Sequence, residues 1–230
     1  MKKNNEMKND SSNPVESHFH RKHRQFDSFY EEKKGPVSRL IDAVFRRSMR
    51  LRFEKVMAGA APYEGKRILD VGCGAGRYAI TLALKGVQSV YGIDFACNMI
   101  EEAARRAVQL KVDHICRFEK TDFMQMDVEA LEEKYHHTFA MGVMDYIENP
   151  GGFVQKMVQV TNGTVMVSFP SAGGIVQWFR RHYFYRIKKC PVYFYSEEDV
   201  RRITEEAGGQ SFVIDKLAKD YFLTIDSVDI

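Results

Sequence analysis

At 230 residues, 44% hydrophobic and 28% charged, the chain suits one α/β domain with extensions and has the composition of a soluble globular protein. No apolar run reaches transmembrane length, the N-terminus lacks the apolar core of a signal peptide, and a net charge of +3 is too small to argue for nucleic acid. Cys73, Cys97, Cys116 and Cys190 have neither C-x-x-C spacing nor a paired framework, so they read as free thiols in a reducing compartment, which points to the cytoplasm.

Residues 1–25 are polar and poor in apolar side chains, the composition of a disordered tail, and a single domain is expected over 26–230. His18, His20 and His23 in that tail lack the Cys or acidic company of a metal site, and no metal is expected. From Ser38, Leu40, Ile41, Val44, Phe45, Met49, Phe53, Val56 and Met57 recur at helical spacing, with Ser38 to cap the helix and Gly59 to end it. Arg46, Arg47, Arg50, Arg52 and Lys55 fall on the other face, which reads as a solvated basic surface. Residues 26–62 are thus expected to form an N-terminal helical cap.

The chain is organised around Arg67–Gly76, RILDVGCGAG. Ile68, Leu69 and Val71 make the apolar run of a strand buried on both faces, and Gly72, Gly74 and Gly76 then lead straight into the amphipathic RYAITLALKG. A strand that breaks into glycines and enters a helix is a nucleotide-binding device: glycine permits φ > 0 and close approach, and the helix start offers unpaired N–H groups. A second apolar run, Ser89–Asp94, ends on an acid that can accept both ribose hydroxyls of a nucleoside.

A helix follows from near Asn98 through Ala107, then a strand at Ile115–Lys120. The fourth strand reads Thr138–Val143, which leaves His136 and His137 before it, exposed and at the wrong end of the sheet for chemistry. In an open parallel sheet ligands sit at the carboxyl ends of the strands, so Met144, Asp145 and Tyr146 should line the cleft. Pro150-Gly151 precedes a helix at Phe153–Val160, and Thr164–Phe169 is the fifth strand. Ser196-Glu-Glu-Asp caps a last helix ended by Gly208-Gly209, and Ser211–Asp215 and Tyr221–Ile225 close the fold as an antiparallel pair at the sheet edge. Five alternating strand and helix signals argue for a doubly wound, mostly parallel sheet.

Asp70-Val-Gly-Cys-Gly-Ala-Gly76 followed by Gly92-Ile-Asp94 resembles the first two motifs of class I S-adenosylmethionine (SAM) methyltransferases, by motif over about residues 63–170. Arg77, where the dinucleotide pattern G-x-G-x-x-G would tolerate only a close backbone approach, separates it from dinucleotide folds. The resemblance is nearest to the ubiquinone-biosynthesis and magnesium-protoporphyrin O-methyltransferases. It implies a Rossmann-like seven-stranded sheet with an antiparallel edge strand, and SAM as cofactor with S-adenosylhomocysteine as product. It places the cofactor on Asp70, Gly72, Cys73, Gly74, Gly76, Asp94, Phe95, Met99 and Met144, with Asp122 and Phe123 at the adenine; a turn or N-cap role for Asp122 competes.

Gly173–Tyr195, GGIVQWFRRHYFYRIKKCPVYFY, joins aromatics to cations at the carboxyl edge. It reads as a substrate lid over a small, anionic or aromatic acceptor, with Trp178, Arg180 and Arg181 as contacts and Tyr30 and Arg46 joining from the cap. An amphipathic helix with its aromatics in the core explains the same residues. Stacked RNA or a peripheral membrane surface would also use them, so an RNA methyltransferase and a non-catalytic SAM-binding protein stand as alternatives. Because a sulfonium already carries a good leaving group, alignment of the acceptor behind the methyl can do most of the work. A general base is wanted only for a hydroxyl acceptor, and His182 and Tyr146 are the candidates.

Overall fold

In the computed structural model, residues 36–129, 131, 133–173 and 192–227 are described, with the helical backbone alone for 36–45. The tail, Tyr30, Trp178, Arg180, Arg181, His182 and Cys190 lie outside those residues. Five helices are described: α1 (Pro36–Gly59), α2 (Arg77–Leu84), α3 (Cys97–Gln109), α4 (Pro150–Gln159) and α5 (Glu197–Glu206). They alternate with β1 (Arg67–Val71), β2 (Ser89–Asp94), β3 (Cys116–Lys120), β4 (Tyr135–Ala140), β5 (Thr161–Pro170), β6 (Ser211–Lys216) and β7 (Asp220–Ser227). The strands form one sheet in the order β3-β2-β1-β4-β5-β7-β6. β1 to β5 pair in parallel, while β7 runs antiparallel to both β5 and β6.

The continuous apolar runs of the central strands are explained by a sheet covered on both sides, because successive side chains point to opposite faces. Leu69, Ala140, Val165, Val167 and Leu223 enter one core with Phe153, Val154 and Met157 of α4 and Val200 and Ile203 of α5. Their strand neighbours Ile68, Phe139, Met166 and Phe222 enter the other, with Val56 and Met57 of α1, Ala79, Ile80, Leu82 and Ala83 of α2, and Ala107 of α3.

Several boundaries move. α1 begins at Pro36 rather than after a Ser38 cap, with proline at the first position, where its missing N–H costs no helical bond. β4 starts and stops three residues earlier than the apolar pattern suggests, because Gly142 takes φ 78° and turns the chain. His136 and His137 therefore belong to the strand and are not exposed ahead of it. His136 Nδ1 accepts a hydrogen bond from the Arg67 amide at 3.0 Å, and His137 is 8% exposed. The basic face of α1 is only partly solvated: Arg46, Arg47 and Arg50 are exposed, but Arg52 is buried and Lys55 pairs with Asp215 at 2.6 Å. α5 carries the expected cap in full: Ser196 Oγ accepts from the Asp199 amide at 3.1 Å, and Asp199 Oδ2 accepts from the Ser196 amide at 2.9 Å.

Candidate functional site

β3, β2, β1 and β4 lie side by side, so the loops after them share one edge. The loop after β1 holds Gly72, Gly74 and Gly76, all with positive φ (72°, 51° and 75°). The need for glycine differs along it. A Cβ on Gly72 would overlap Val143 Cγ2 from the loop after β4, and one on Gly76 would crowd Ala103, Ile80 and Phe118, whereas one on Gly74 would meet nothing within 4 Å. The middle of the loop thus borders open space, and its two ends are packed against protein.

Asp94 closes β2 and faces that loop. Its Oδ2 accepts from the Gly74 amide and its Oδ1 from the Ala96 amide, both at 2.9 Å. Burial lifts its pKa above the usual carboxylate value against the opposing pull of those amides. These amides, with that of Phe95, orient the carboxylate, which can still accept from a ligand hydroxyl. Asp70 does a different job. It is 1% exposed beneath the loop, and burial, with Asp94 close by, raises its pKa well above the carboxylate range. Cys73 is likewise buried and its amide bonds to the Ile93 carbonyl at 3.0 Å, tying the loop to β2; burial, Asp70 and Asp94 push its thiol pKa up, so it is an inert thiol.

Phe95 and Met99 are half-buried on either side of the start of α3. The Thr121 amide donates to the Asp94 carbonyl at 3.0 Å, which brings Asp122 to the same edge. Asp122 is exposed and its Oδ1 accepts from the Met124 amide at 3.0 Å, capping the short turn Phe123–Gln125; Oδ2 stays available. Phe123 points inward, 4% exposed, with its ring 5.0 Å from that of Phe153. Met144 is fully buried in the turn after β4, and its carbonyl accepts from Tyr195 Oη at 3.3 Å. Tyr146, in the same turn, is half-buried, and Arg46 is exposed on α1. All the described cofactor candidates therefore gather at one edge.

Two groups at this edge escaped the sequence reading. Arg52 is 6% exposed, and its Nη1 donates to Ser168 Oγ at 3.2 Å. Its Nε, 3.2 Å from Asp220 Oδ2, has no aligned hydrogen bond, and a Cβ on Gly142 would lie 3.3 Å from Nη1. Asn98, in the first turn of α3, has both side-chain amide atoms buried without a partner. A basic residue on a helix carries no sign of which cation will be buried, and Asn98 had no motif to mark it.

An open, mostly parallel sheet with a glycine loop and a strand-end acid at the same carboxyl edge defines a nucleoside-binding α/β protein of the doubly wound kind. The family model described as "Methyltransferase domain" matches residues 63–208, more than half of the chain, and the chain belongs to that family. Among curated proteins it is similar to the ubiquinone biosynthesis O-methyltransferase of Paracidovorax citrulli, 34% identical over 106 residues, 44% of this chain and 42% of that one. The corresponding protein of Neisseria meningitidis serogroup C is 33% identical over 115 residues, 48% and 46% of the two chains. The chain thus matches less than half the length of these relatives. The fold is shared with the magnesium protoporphyrin IX methyltransferase of Synechocystis PCC 6803 solved with bound SAH: TM-score 0.69, 19% identity, 92% of this chain and 97% of that one.

Proposed function

We propose that the protein transfers the methyl group of SAM to the oxygen or nitrogen of a small-molecule acceptor. The observation that carries this reading is Asp94, held by the Gly74 and Ala96 amides next to the one glycine of the loop whose Cβ position is open. Bound there, SAM supplies an electrophilic methyl on a positively charged sulfur. Asp94 would accept the ribose hydroxyls, Phe95, Met99, Asp122 and Phe123 would bound the adenine, and Gly72–Gly76 would pass beneath the amino-acid arm. The fit extends to the far end of the loop: the buried Arg52 guanidinium lies beside Gly142 with Nη1 donating to Ser168 Oγ, and an amino-acid carboxylate is a group its other donors would hold well.

The residues of this chain would contribute alignment more than acid–base chemistry, since in-line displacement needs the acceptor lone pair behind the methyl. Tyr146, in the turn after β4, and His182 would be the candidate bases for a hydroxyl acceptor. We propose that the acceptor is contacted by the segment 173–195 through Trp178, Arg180 and Arg181, with Tyr30 and Arg46 joining. Support comes from the segment's described ends: the Ala172 amide donates to the Tyr195 carbonyl at 2.8 Å, and the Tyr193 amide to the Asp145 carbonyl at 2.9 Å. An anionic or aromatic acceptor suits those side chains, and the relatives named for ubiquinone biosynthesis favour oxygen as the acceptor atom. Cys73, Cys97 and Cys116 are free thiols, which supports a cytoplasmic setting. No helix among the described residues is long and apolar enough to cross a membrane.

Native mass spectrometry of the protein as purified tests the reading. A retained mass matching SAM or S-adenosylhomocysteine is expected; a retained nicotinamide or flavin nucleotide would contradict it.

A further inference from the structure

Beneath α1 lies a buried polar cluster of which the proposed reaction uses only Arg52. Ser48, Arg52, Ser168, Lys219 and Asp220 are each at most 7% exposed. Ser48 and Arg52, one turn apart, share a face of α1. Asp220 opens β7 opposite Pro170, at the carboxyl end of β5. Its Oδ2 accepts from Ser48 Oγ and lies 3.2 Å from Arg52 Nε, and its Oδ1 accepts from Lys219 Nζ at 3.0 Å. Both oxygens are committed, so this carboxylate is no base for an acceptor. Toward Arg52 it acts by charge, 3.2 Å from Nε without an aligned hydrogen bond.

From Arg52 the connections run to the cofactor loop. Nη1 donates to Ser168 Oγ at 3.2 Å, and the same oxygen accepts from the Gly142 amide at 2.8 Å. Gly142 sits at φ 78°, and Val143, the next residue, abuts Gly72. A buried ion pair is a poor source of stability, since well-packed apolar side chains of the same volume often do as well. This one brings a cation from α1, an acid from the last strand and a hydroxyl from β5 to one point beside the glycine loop.

We propose that Asp220 is a positioning residue for the amino-acid end of the cofactor, acting through Arg52. The proposal rests on the assignment of SAM to this cleft. Asp220 sets the guanidinium's orientation, and Arg52 presents its remaining donors to the cofactor carboxylate. The C-terminal hairpin of β6 and β7, which carries no recognisable motif, thereby becomes part of the cofactor site.

Two ligands separate positioning from general support: S-adenosylhomocysteine, and 5′-methylthioadenosine, which keeps the adenosine and sulfur but lacks the amino-acid arm. Titrated by calorimetry, Asp220→Asn is expected to bind S-adenosylhomocysteine about tenfold more weakly and 5′-methylthioadenosine within about twofold of wild type. In an Arg52→Gln background the same substitution should leave S-adenosylhomocysteine binding unchanged, since the route through Arg52 is already cut. Ser48→Ala, which removes one hydrogen bond to the same oxygen, should give a smaller loss with the same selectivity and serves if Asp220→Asn does not fold. Equal loss of both ligands, loss of neither, or a full further loss in the Arg52→Gln background would overturn the proposal. Wild-type protein that binds neither ligand would overturn the SAM reading as well.

Discussion

Asp94 and Arg52 are both charged groups with their geometry set before any ligand arrives, and they differ in how they could be recognised. Asp94 stands at a strand end a fixed distance beyond a glycine loop, so its role follows from local pattern. Nothing local separates Arg52 from its exposed neighbours, because the partners that bury it, Ser168 and Asp220, lie far downstream and meet it only in the folded sheet. Removal of the Asp94 carboxylate takes away charged hydrogen bonds worth about 1.5–3 kcal/mol each. Asp94→Ala is therefore expected to raise the dissociation constant for S-adenosylhomocysteine at least about tenfold, with the apo protein still folded by circular dichroism. Unchanged affinity in that folded variant would reduce Asp94 to the end of a strand.

At the scale of the element, the glycine loop divides into positions packed against protein and one, Gly74, that borders open space, where the proposed cofactor would pass. Gly72→Ala combines φ 72° with a collision against Val143, so it should lower the melting temperature by several degrees without any ligand. Gly74→Ala has φ 51° but open space around its Cβ, so it should lose only the ~1–2 kcal/mol of a left-handed residue and yet bind S-adenosylhomocysteine much more weakly. Melting curves with and without ligand read both effects, and equal ligand responses in the two variants would contradict the division. The loop, β1, β2 and the capping box of α5 were legible because each has short-range chemistry that acts alone. β4 was not, because Met141-Gly142-Val143 looks like strand while Gly142 at positive φ ends it, and because two histidines look like surface. The antiparallel pair of β6 and β7 at the sheet edge was expected, and the structure adds that β7 also pairs with β5. Asp122 was open between adenine contact and cap; its Oδ1 caps the turn, and its role toward adenine is part of the proposal.

Across the whole molecule, the carboxyl edge of the sheet carries the site and the opposite edge carries a pH liability. His137 is buried with neither ring nitrogen hydrogen-bonded, and burial, with Lys66 and His136 adding to it, lowers its pKa from 6.5 to about 4. Between those values the unfolded chain binds a proton that the folded chain refuses, so this residue's contribution to stability falls as pH drops through that window. Buried Asp70 and Asp94 act in the opposite sense, because their raised pKa values let the folded state keep protons longer. The His137 contribution is isolated by difference: His137→Leu should melt progressively higher relative to wild type as pH falls from 7 to 5, and parallel curves would contradict it. The central claim, that the cleft at the carboxyl edge holds SAM, is tested most directly by thermal denaturation with S-adenosylhomocysteine at about 100 times its dissociation constant. Binding to the folded state alone should add ~2.7 kcal/mol, and a domain of this size should then melt about 5–10 °C higher. No shift with S-adenosylhomocysteine, together with a shift of that size with NAD, would contradict the account.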